Sequence, residues 1–445
     1  MSRIAFFGII LVLILGTGSG YGQQCKLTAS ASQSVLRTDE RQNIFVKVGV
    51  TGFEIKAAEK RTPLNVAIVL DRSGSMNGSK IRQAKEAARC VVEQLNENDV
   101  LSLILYSDEA EVTVPATKVT DRNAILAKID AIEAGGMTAL FDGTTQGIAE
   151  VKKFYDKERV NRVILLSDGL ANVGPSGTGE LKELGTKSGS DGIAVTTFGL
   201  GESYNEDLML ALAAASDGNH VFITNDSNMP EVFNAEFKFA AQVVAQDVQG
   251  TFIPGEEIKV LRCLNRDIDR DDNQITFRWN QLYSAHERYV ILEVEVPASS
   301  ASQERTLGTA RISYRNMVSR VTDELSSVAK VRFSDSREEC ERSVDKEVTQ
   351  DAALMLANLE NARALSLRDA GKVTEAKEVL EKNKQYLNEV AGEIGGSARL
   401  KAAAELNSVQ ADTIESDDSW TTTGRKAMRA FQGSTNTQSV QQPVR

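Results

Sequence analysis

The side chains of Asp71, Ser73 and Ser75 stand at every second position directly after an apolar run, residues 66–70. One carboxylate and two hydroxyl groups suit a hard cation such as Mg²⁺, whereas zinc and copper sites prefer nitrogen and sulfur ligands. The alternative interpretation is that these side chains only cap the helix that follows, as aspartate and serine often do.

The elements around these residues are predicted to be a strand, a loop and a helix, in that order. The β-branched residues within 66–70 are typical of a strand that is buried on both faces of a parallel sheet. Apolar residues then recur at helical spacing over residues 81–95. Open α/β sheets bind ligands at the carboxyl ends of their strands, which is where this order places the three oxygen-bearing side chains.

Two later segments carry matching chemistry. Residues 135–140 form a glycine-rich loop that contains the hydroxyl of Thr138, and residues 163–169 predict a second buried strand ending in Asp168 and Gly169. The three motifs in this order resemble the von Willebrand factor type A domain, and the resemblance covers about residues 63–239. It implies a metal-ion-dependent adhesion site for Mg²⁺ or Mn²⁺ whose ligands are Asp71, Ser73, Ser75, Thr138 and Asp168.

The resemblance also implies how such a site works. The bound metal keeps an open coordination position, which an exposed Asp or Glu of a partner protein fills. Phe141, Asn172 and Val173 lie on the same predicted rim, where they would frame the partner, and Asp142 is predicted to support the ligands from behind. We therefore expect a protein-binding module of the adhesion type.

Two other functions remain as alternatives at this stage. One is a structural envelope scaffold in which the metal only stabilises the fold. The other is a metal-dependent hydrolase, for which the sequence offers no catalytic base beyond the ligands and no phosphate-binding lysine loop or nucleophile elbow. We expect no enzymatic activity.

Composition narrows the class of partner. The chain has 445 residues, which is enough for two to four domains. A net charge of −11 argues against nucleic acid as a partner. The only histidines, His220 and His286, are far apart and have no cysteine nearby, which argues against a zinc site.

The N-terminus reads as an export signal. Arg3 precedes an apolar run, residues 4–15, and small residues lead to a predicted cleavage after Gly22. The run is shorter than the roughly 20 residues that a transmembrane helix needs. We expect residues 1–22 to be a signal peptide and the mature chain to be exported, to the periplasm or the cell surface, with no membrane span. An uncleaved anchor and a lipid on Cys25 are the alternatives.

Export would permit disulfide bonds. The four cysteines allow three complete pairings, and the sequence does not choose among them. Cys90 lies off the apolar face of its predicted helix, so we expect one disulfide among Cys25, Cys263 and Cys340. Free thiols are the alternative.

The fold class is predicted from the periodicity of the apolar residues. Strands alternating with helices indicate a doubly wound, Rossmann-like α/β domain, and period-two alternation after residue 242 indicates a β-sandwich. Residues 43–50 predict one strand that needs a sheet elsewhere, so the α/β domain is expected to be inserted in the β-sandwich, an arrangement similar to inter-alpha-trypsin inhibitor heavy chains. A helical hairpin resembling a tetratricopeptide unit should dock on the sandwich. The predicted segments are 23–61 and 241–336 (β-domain), 62–240 (α/β domain), 344–395 (helical hairpin) and 396–445 (polar tail, partly disordered).

Overall fold

The computed structural model describes residues 23–55, 61–224, 228–266, 268–271, 274–416, 420 and 424–438. The predicted signal peptide, residues 1–22, lies outside these ranges. Within them, no helix is both long enough and apolar enough to cross a membrane.

Three strands precede the α/β domain. Strand β3 contains the predicted strand 43–50, and its side chains at Val46, Val48 and Val50 are fully buried. Strand β3 pairs antiparallel with β1, which leaves its other edge for a later part of the chain. The strands are Lys26–Ala31 (β1), Val35–Arg37 (β2) and Gln42–Thr51 (β3).

The sheet of the α/β domain has six strands in the order β6-β5-β4-β7-β8-β9. Strand β6 runs antiparallel to β5, and the other neighbours are parallel. Strands β4 and β7 are adjacent, with Leu70 opposite Leu166, so their carboxyl ends meet at one edge of the sheet. The strands are Leu64–Asp71 (β4), Val100–Tyr106 (β5), Ala110–Lys118 (β6), Val160–Ser167 (β7), Ala194–Leu200 (β8) and His220–Ile223 (β9).

Helices cover both faces of this sheet, which explains why its central strands are buried throughout. Apolar residues of α1, α2 and α6 belong to the core on one face, and those of α3, α4 and α5 to the core on the other. The predicted doubly wound fold is confirmed. The helices are Ser79–Gln94 (α1), Arg122–Asp130 (α2), Leu140–Lys153 (α3), Thr178–Ser190 (α4), Glu206–Ala215 (α5) and Met229–Ala240 (α6).

Two further sheets form the β-sandwich, in the orders β1-β3-β14-β11 and β12-β13-β10-β15-β16-β2. Their inner faces share one core, to which β3 contributes Val46 and Val48 and β13 contributes Trp279. Because β3 pairs with β14 across residues 42–51, the α/β domain is inserted in the sandwich as predicted. The later strands are Val243–Pro254 (β10), Lys259–Cys263 (β11), Asp269–Asp271 (β12), Gln274–Tyr283 (β13), Glu287–Val296 (β14), Glu304–Asn316 (β15) and Thr322–Ser334 (β16).

The C-terminal part is more helical than the sequence indicates. The predicted hairpin is present as α8 and α9, and the segment predicted as a polar, partly disordered tail contains two helices that were not predicted, α10 and α11. Helix α10 lacks a plainly apolar face, since its buried residues include Asn407 and Gln410, and α11 buries the charged Lys426 together with Met428. The helices are Arg337–Arg342 (α7), Lys346–Asp369 (α8), Val373–Glu393 (α9), Ala398–Thr413 (α10) and Arg425–Thr437 (α11).

Helix α8 docks on the four-stranded sheet through a buried lysine. The ammonium of Lys47 on β3 donates hydrogen bonds of 2.7 Å to Glu287 of β14 and to Glu347 and Asp351 of α8. Burial by itself would lower the pKa of Lys47, but the three carboxylates, Asp351 foremost, raise it above its usual range. The expected docking of the helical hairpin on the sandwich is therefore present.

All four cysteines are free thiols, so the predicted disulfide is wrong. The three candidates lie on separate elements: Cys25 lies buried in the sandwich core, Cys263 ends β11 at a sheet edge, and Cys340 lies on α7. Burial raises the pKa of the Cys25 thiol to about 11, which keeps it protonated at neutral pH.

Candidate metal centre

Three chain segments converge at the carboxyl edge of the α/β sheet. Asp71 is the last residue of β4, and Asp168 directly follows β7, its parallel neighbour. The loop that carries Thr138 lies between α2 and α3. Both aspartates are fully buried, although they stand at the end of the sheet where a ligand would enter.

Hydrogen bonds fix the carboxylate of Asp71 on both of its oxygens. Oδ1 accepts the backbone N–H of Ser73 at 2.8 Å, and Oδ2 accepts the hydroxyl of Ser167 at 2.8 Å. Burial raises the pKa of Asp71, the hydrogen bonds from Ser73 and Ser167 lower it, and the nearby charge of Asp168 raises it. The first of these bonds also turns the chain so that Ser73 and Ser75 follow at the same edge.

The two serines connect Asp71 with Asp168. The hydroxyl oxygens of Ser73 and Ser75 are 3.0 Å apart, and the Ser75 hydroxyl donates to Oδ1 of Asp168 at 2.6 Å. The other oxygen of Asp168, Oδ2, accepts from the ammonium of Lys80 at 2.5 Å. A short 3₁₀ turn, Gly74–Met76, contains Ser75 and lies between Ser73 and α1.

Backbone hydrogen bonds attach the glycine-rich loop to the same edge. Gly135 N–H donates to the carbonyl of Arg72 at 2.6 Å, and Gly74 N–H donates to the carbonyl of Gly136 at 2.9 Å. Gly136 has a φ of +87°, a left-handed conformation that glycine adopts without strain. The loop thereby presents Thr138 to the serines.

Gly169 shows where the hydroxyls meet. A Cβ atom placed on Gly169 would lie 3.2 Å from Oγ1 of Thr138 and 3.3 Å from Oγ of Ser75. These two oxygens therefore flank one small space that only a residue without a side chain leaves open. The structure thus brings together Asp71, Ser73, Ser75, Thr138 and Asp168, an all-oxygen donor set that fits Mg²⁺ or Mn²⁺.

Comparison with known families agrees with this geometry. Residues 65–235 match the sequence model of the von Willebrand factor type A domain. The chain contains a von Willebrand factor type A domain. Domains of this family are often metal-dependent and typically bind proteins.

The matches to individual proteins cover less than half of this chain. The uncharacterized protein sll0103 of Synechocystis sp. is 33% identical over 185 residues, which cover 42% of this chain and 43% of that protein. Inter-alpha-trypsin inhibitor heavy chain H3 of Homo sapiens is 28% identical over 235 residues, which cover 47% of this chain and 26% of that protein. The matching region thus spans less than half of either relative.

One solved structure extends the likeness beyond the type A domain. The von Willebrand factor type A structure from Catenulispora acidiphila superposes with a TM-score of 0.66 at 17% identity, and the match covers 83% of this chain and 87% of that chain. At this identity the match shows a shared fold and nothing more about function.

The predicted rim residues of the type A domain have varied surroundings. Phe141 is half-buried and packs against the core beneath α3, and Val173 is half-buried as well. Asn172 is exposed, and its amide oxygen accepts the backbone N–H of Thr138 at 2.8 Å, so this side chain positions a predicted ligand. Asp142 accepts the backbone N–H of Ala110 at 3.0 Å and thereby connects α3 with β6.

Three neighbours of the site lie outside the predicted ligand and rim residues. Met137 and Leu170 are 46% and 60% exposed and adjoin Thr138 and Gly169 in the chain. Lys80 pairs with Asp168. The signal available for Met137 was a large apolar residue next to a predicted ligand in the glycine-rich loop. The signal for Lys80 was a lysine in the first turn of the predicted helix.

We predict that Gly169→Ala weakens Mn²⁺ binding while leaving the fold intact. The added methyl group would occupy the space between the hydroxyls of Ser75 and Thr138, and the expected loss of affinity is roughly tenfold or more. Isothermal titration calorimetry with Mn²⁺ measures it. Gly135→Ala is the matched control, because a Cβ there meets no atom within 4 Å. Equal Mn²⁺ affinity in the Gly169 variant and the wild type would show that the metal does not lie between these hydroxyls.

Proposed function

We propose that the type A domain holds Mg²⁺ or Mn²⁺ and captures a partner protein through one of its Asp or Glu side chains. The observation that carries the proposal is the convergence of two carboxylates and three hydroxyl groups on one open edge of the sheet. Asp71, Ser73, Ser75, Thr138 and Asp168 would hold the metal. When bound, the metal supplies an electrophilic coordination position that a carboxylate oxygen can fill.

The site's own groups favour binding over reaction. Both aspartates already accept hydrogen bonds from the serines or Lys80, so neither is available as a separate base. The two histidines of the chain lie elsewhere: the His220 ring bonds to Thr197 and Tyr204, and His286 contacts the aromatic rings of Phe239 and Tyr283. Burial lowers the pKa of both histidines to about 4. We therefore propose a non-enzymatic role.

The surroundings of the site suit a protein ligand. The exposed side chains of Met137 and Leu170 stand beside ligand positions, where a partner would cover them while its carboxylate reaches the metal. Covering apolar side chains excludes water from the contact, which strengthens the electrostatic attraction between the metal and the carboxylate. A scaffold with a purely structural metal would not need this combination.

We predict that Asp71→Ala abolishes both Mn²⁺ binding and partner capture. The test compares proteins retained from an extract of the producing cell's envelope in Mg²⁺, in EDTA and with the variant. Asp191→Ala is the control, because Asp191 lies just before the amino end of β8. The amino ends of the parallel strands are on the side of the sheet opposite to the site.

Three results would contradict the proposal. Capture that persists in EDTA and in Asp71→Ala would place the binding surface elsewhere. Loss of folding in Asp71→Ala, followed by circular dichroism, together with unchanged capture in EDTA would favour the scaffold. Turnover of small esters or phosphates that Asp71→Ala removes would establish an enzyme.

We predict that the double variant Met137→Ser, Leu170→Ser weakens partner capture but not Mn²⁺ binding. Burying one such side chain contributes about 1.5–3 kcal/mol, so we expect roughly tenfold weaker capture or more. Val318→Ser is the matched control, since Val318 is 47% exposed on the β-sandwich. Capture that is unchanged in the double variant would show that the partner does not cover these side chains.

We further propose that the protein works outside the cytoplasm, on the pattern of residues 1–22. We predict that the protein purified from its producing cells begins at Gln23, which N-terminal sequencing determines directly. Recovery of the chain with residue 1 intact in the soluble cell fraction would contradict export.

A further inference from the structure

Lys80 places a positive charge inside the candidate metal centre. It is the second residue of α1, and its Nζ lies 2.5 Å from Oδ2 of Asp168. The Lys80 side chain is 30% exposed, whereas the Asp168 side chain is fully buried. The ammonium group also faces the loop between β8 and α5, because a Cβ on Gly201 would lie 3.8 Å from Nζ.

This position is unfavourable for a lysine unless a partner compensates it. The first turn of a helix carries a partial positive charge, which repels cations. Helix α1 has no acidic residue in its first turn to offset that charge. Asp168, which directly follows β7, is thus the group that stabilises the ammonium of Lys80.

The two oxygens of the Asp168 carboxylate have different hydrogen-bond partners. Oδ1 accepts from Ser75, one of the predicted metal ligands, and Oδ2 accepts from Lys80. One oxygen therefore faces the ligand cluster, while the other is occupied by a cation that belongs to the chain. A metal at this site would share Asp168 with Lys80.

We propose that the positive charge of Lys80 is part of the metal site. This charge weakens the binding of the divalent cation and leaves the metal-loaded site with a net positive charge. The inference rests on the proposed function and deepens it. Asp71 and Asp168 carry two negative charges, whereas a divalent cation and Lys80 together carry three positive charges, so the loaded site keeps one net positive charge. A carboxylate from a partner restores neutrality, so Lys80 would favour acidic ligands.

The test measures Mn²⁺ binding to the full chain by calorimetry after metal removal with EDTA. Removing the charge in Lys80→Met should tighten Mn²⁺ binding by roughly tenfold, because a like charge beside the metal is lost. Lys80→Gln, which keeps a hydrogen-bond donor for Asp168, should behave alike and serves if the methionine variant folds poorly. Lys80→Arg retains the charge and should bind Mn²⁺ as the wild type does.

Arg82→Met is the matched control for a general charge effect. Arg82 is exposed on the same helix, and its removal changes the net charge by the same amount without touching Asp168. We expect its Mn²⁺ affinity to equal that of the wild type. Tightening in Arg82→Met as large as that in Lys80→Met would overturn the specific role of Lys80.

A second measurement, the affinity of the Mn²⁺-loaded protein for acetate, is expected to change in the opposite direction. Acetate is titrated into the Mn²⁺-loaded protein and followed by water-proton relaxation, which reports displacement of water from Mn²⁺. Lys80→Met should bind acetate several-fold more weakly than the wild type, although it binds Mn²⁺ more tightly. A residue that only supports the fold would weaken both.

The outcomes separate this inference from the proposed function. Wild-type protein that binds Mn²⁺ while Lys80→Met and Lys80→Gln bind it equally or more weakly would overturn the role of Lys80 and leave the metal site standing. Wild-type protein that fails to bind Mn²⁺ would overturn both.

Discussion

The structure of the candidate site depends on the parallel pairing of β4 with β7. Because β4 and β7 are parallel neighbours, both strands end on the same side of the sheet. Asp71 and Asp168 therefore lie side by side there, and both are fully buried. Two carboxylates in such surroundings repel each other and lose hydration, which costs free energy unless other groups compensate them. The backbone N–H of Ser73, the hydroxyls of Ser75 and Ser167 and the ammonium of Lys80 provide that compensation within the chain. The same environment would make a divalent cation a favourable addition.

The β-sandwich and the C-terminal helices hold the type A domain at several points. Arg162 on β7 is almost fully buried and donates to Gln281 at 2.7 Å on β13, so the central strand of one domain is bonded to a strand of the other. Thr62, at the entry to β4, donates to the carbonyl of Val243, at the exit into β10, at 3.2 Å. On the far side, Arg425 of α11 pairs with Glu206 and Asp207 of α5. Such contacts attach the type A domain to the sandwich and to the C-terminal helices.

Sequence patterns predicted the parts of this structure that depend on local order. The alternation in residues 43–50 and the apolar runs at β4 and β7 indicated buried strands, and the spacing of Asp71, Ser73 and Ser75 indicated oxygen ligands. Features that depend on tertiary partners were missed. Helix α11 buries Lys426 against Glu206, and α10 buries Asn407 and Gln410, so both helices bury polar residues whose burial depends on tertiary partners. The exposure of Leu170 likewise follows from the path of its loop, which composition does not specify.

The C-terminal helix lies close to the loop that borders the candidate site. Arg425 binds Glu206 at the start of α5, and the Lys426 ammonium lies 5.1 Å from the centre of the Tyr204 ring, just before that helix. The loop that precedes Tyr204 contains Gly201, whose N–H donates to the carbonyl of Ile223 at 2.9 Å and whose other side faces Lys80. Lys80 in turn holds Asp168. The C-terminal segment therefore contacts Glu206 and Tyr204, which follow the loop nearest to Lys80, although it lies outside the type A domain.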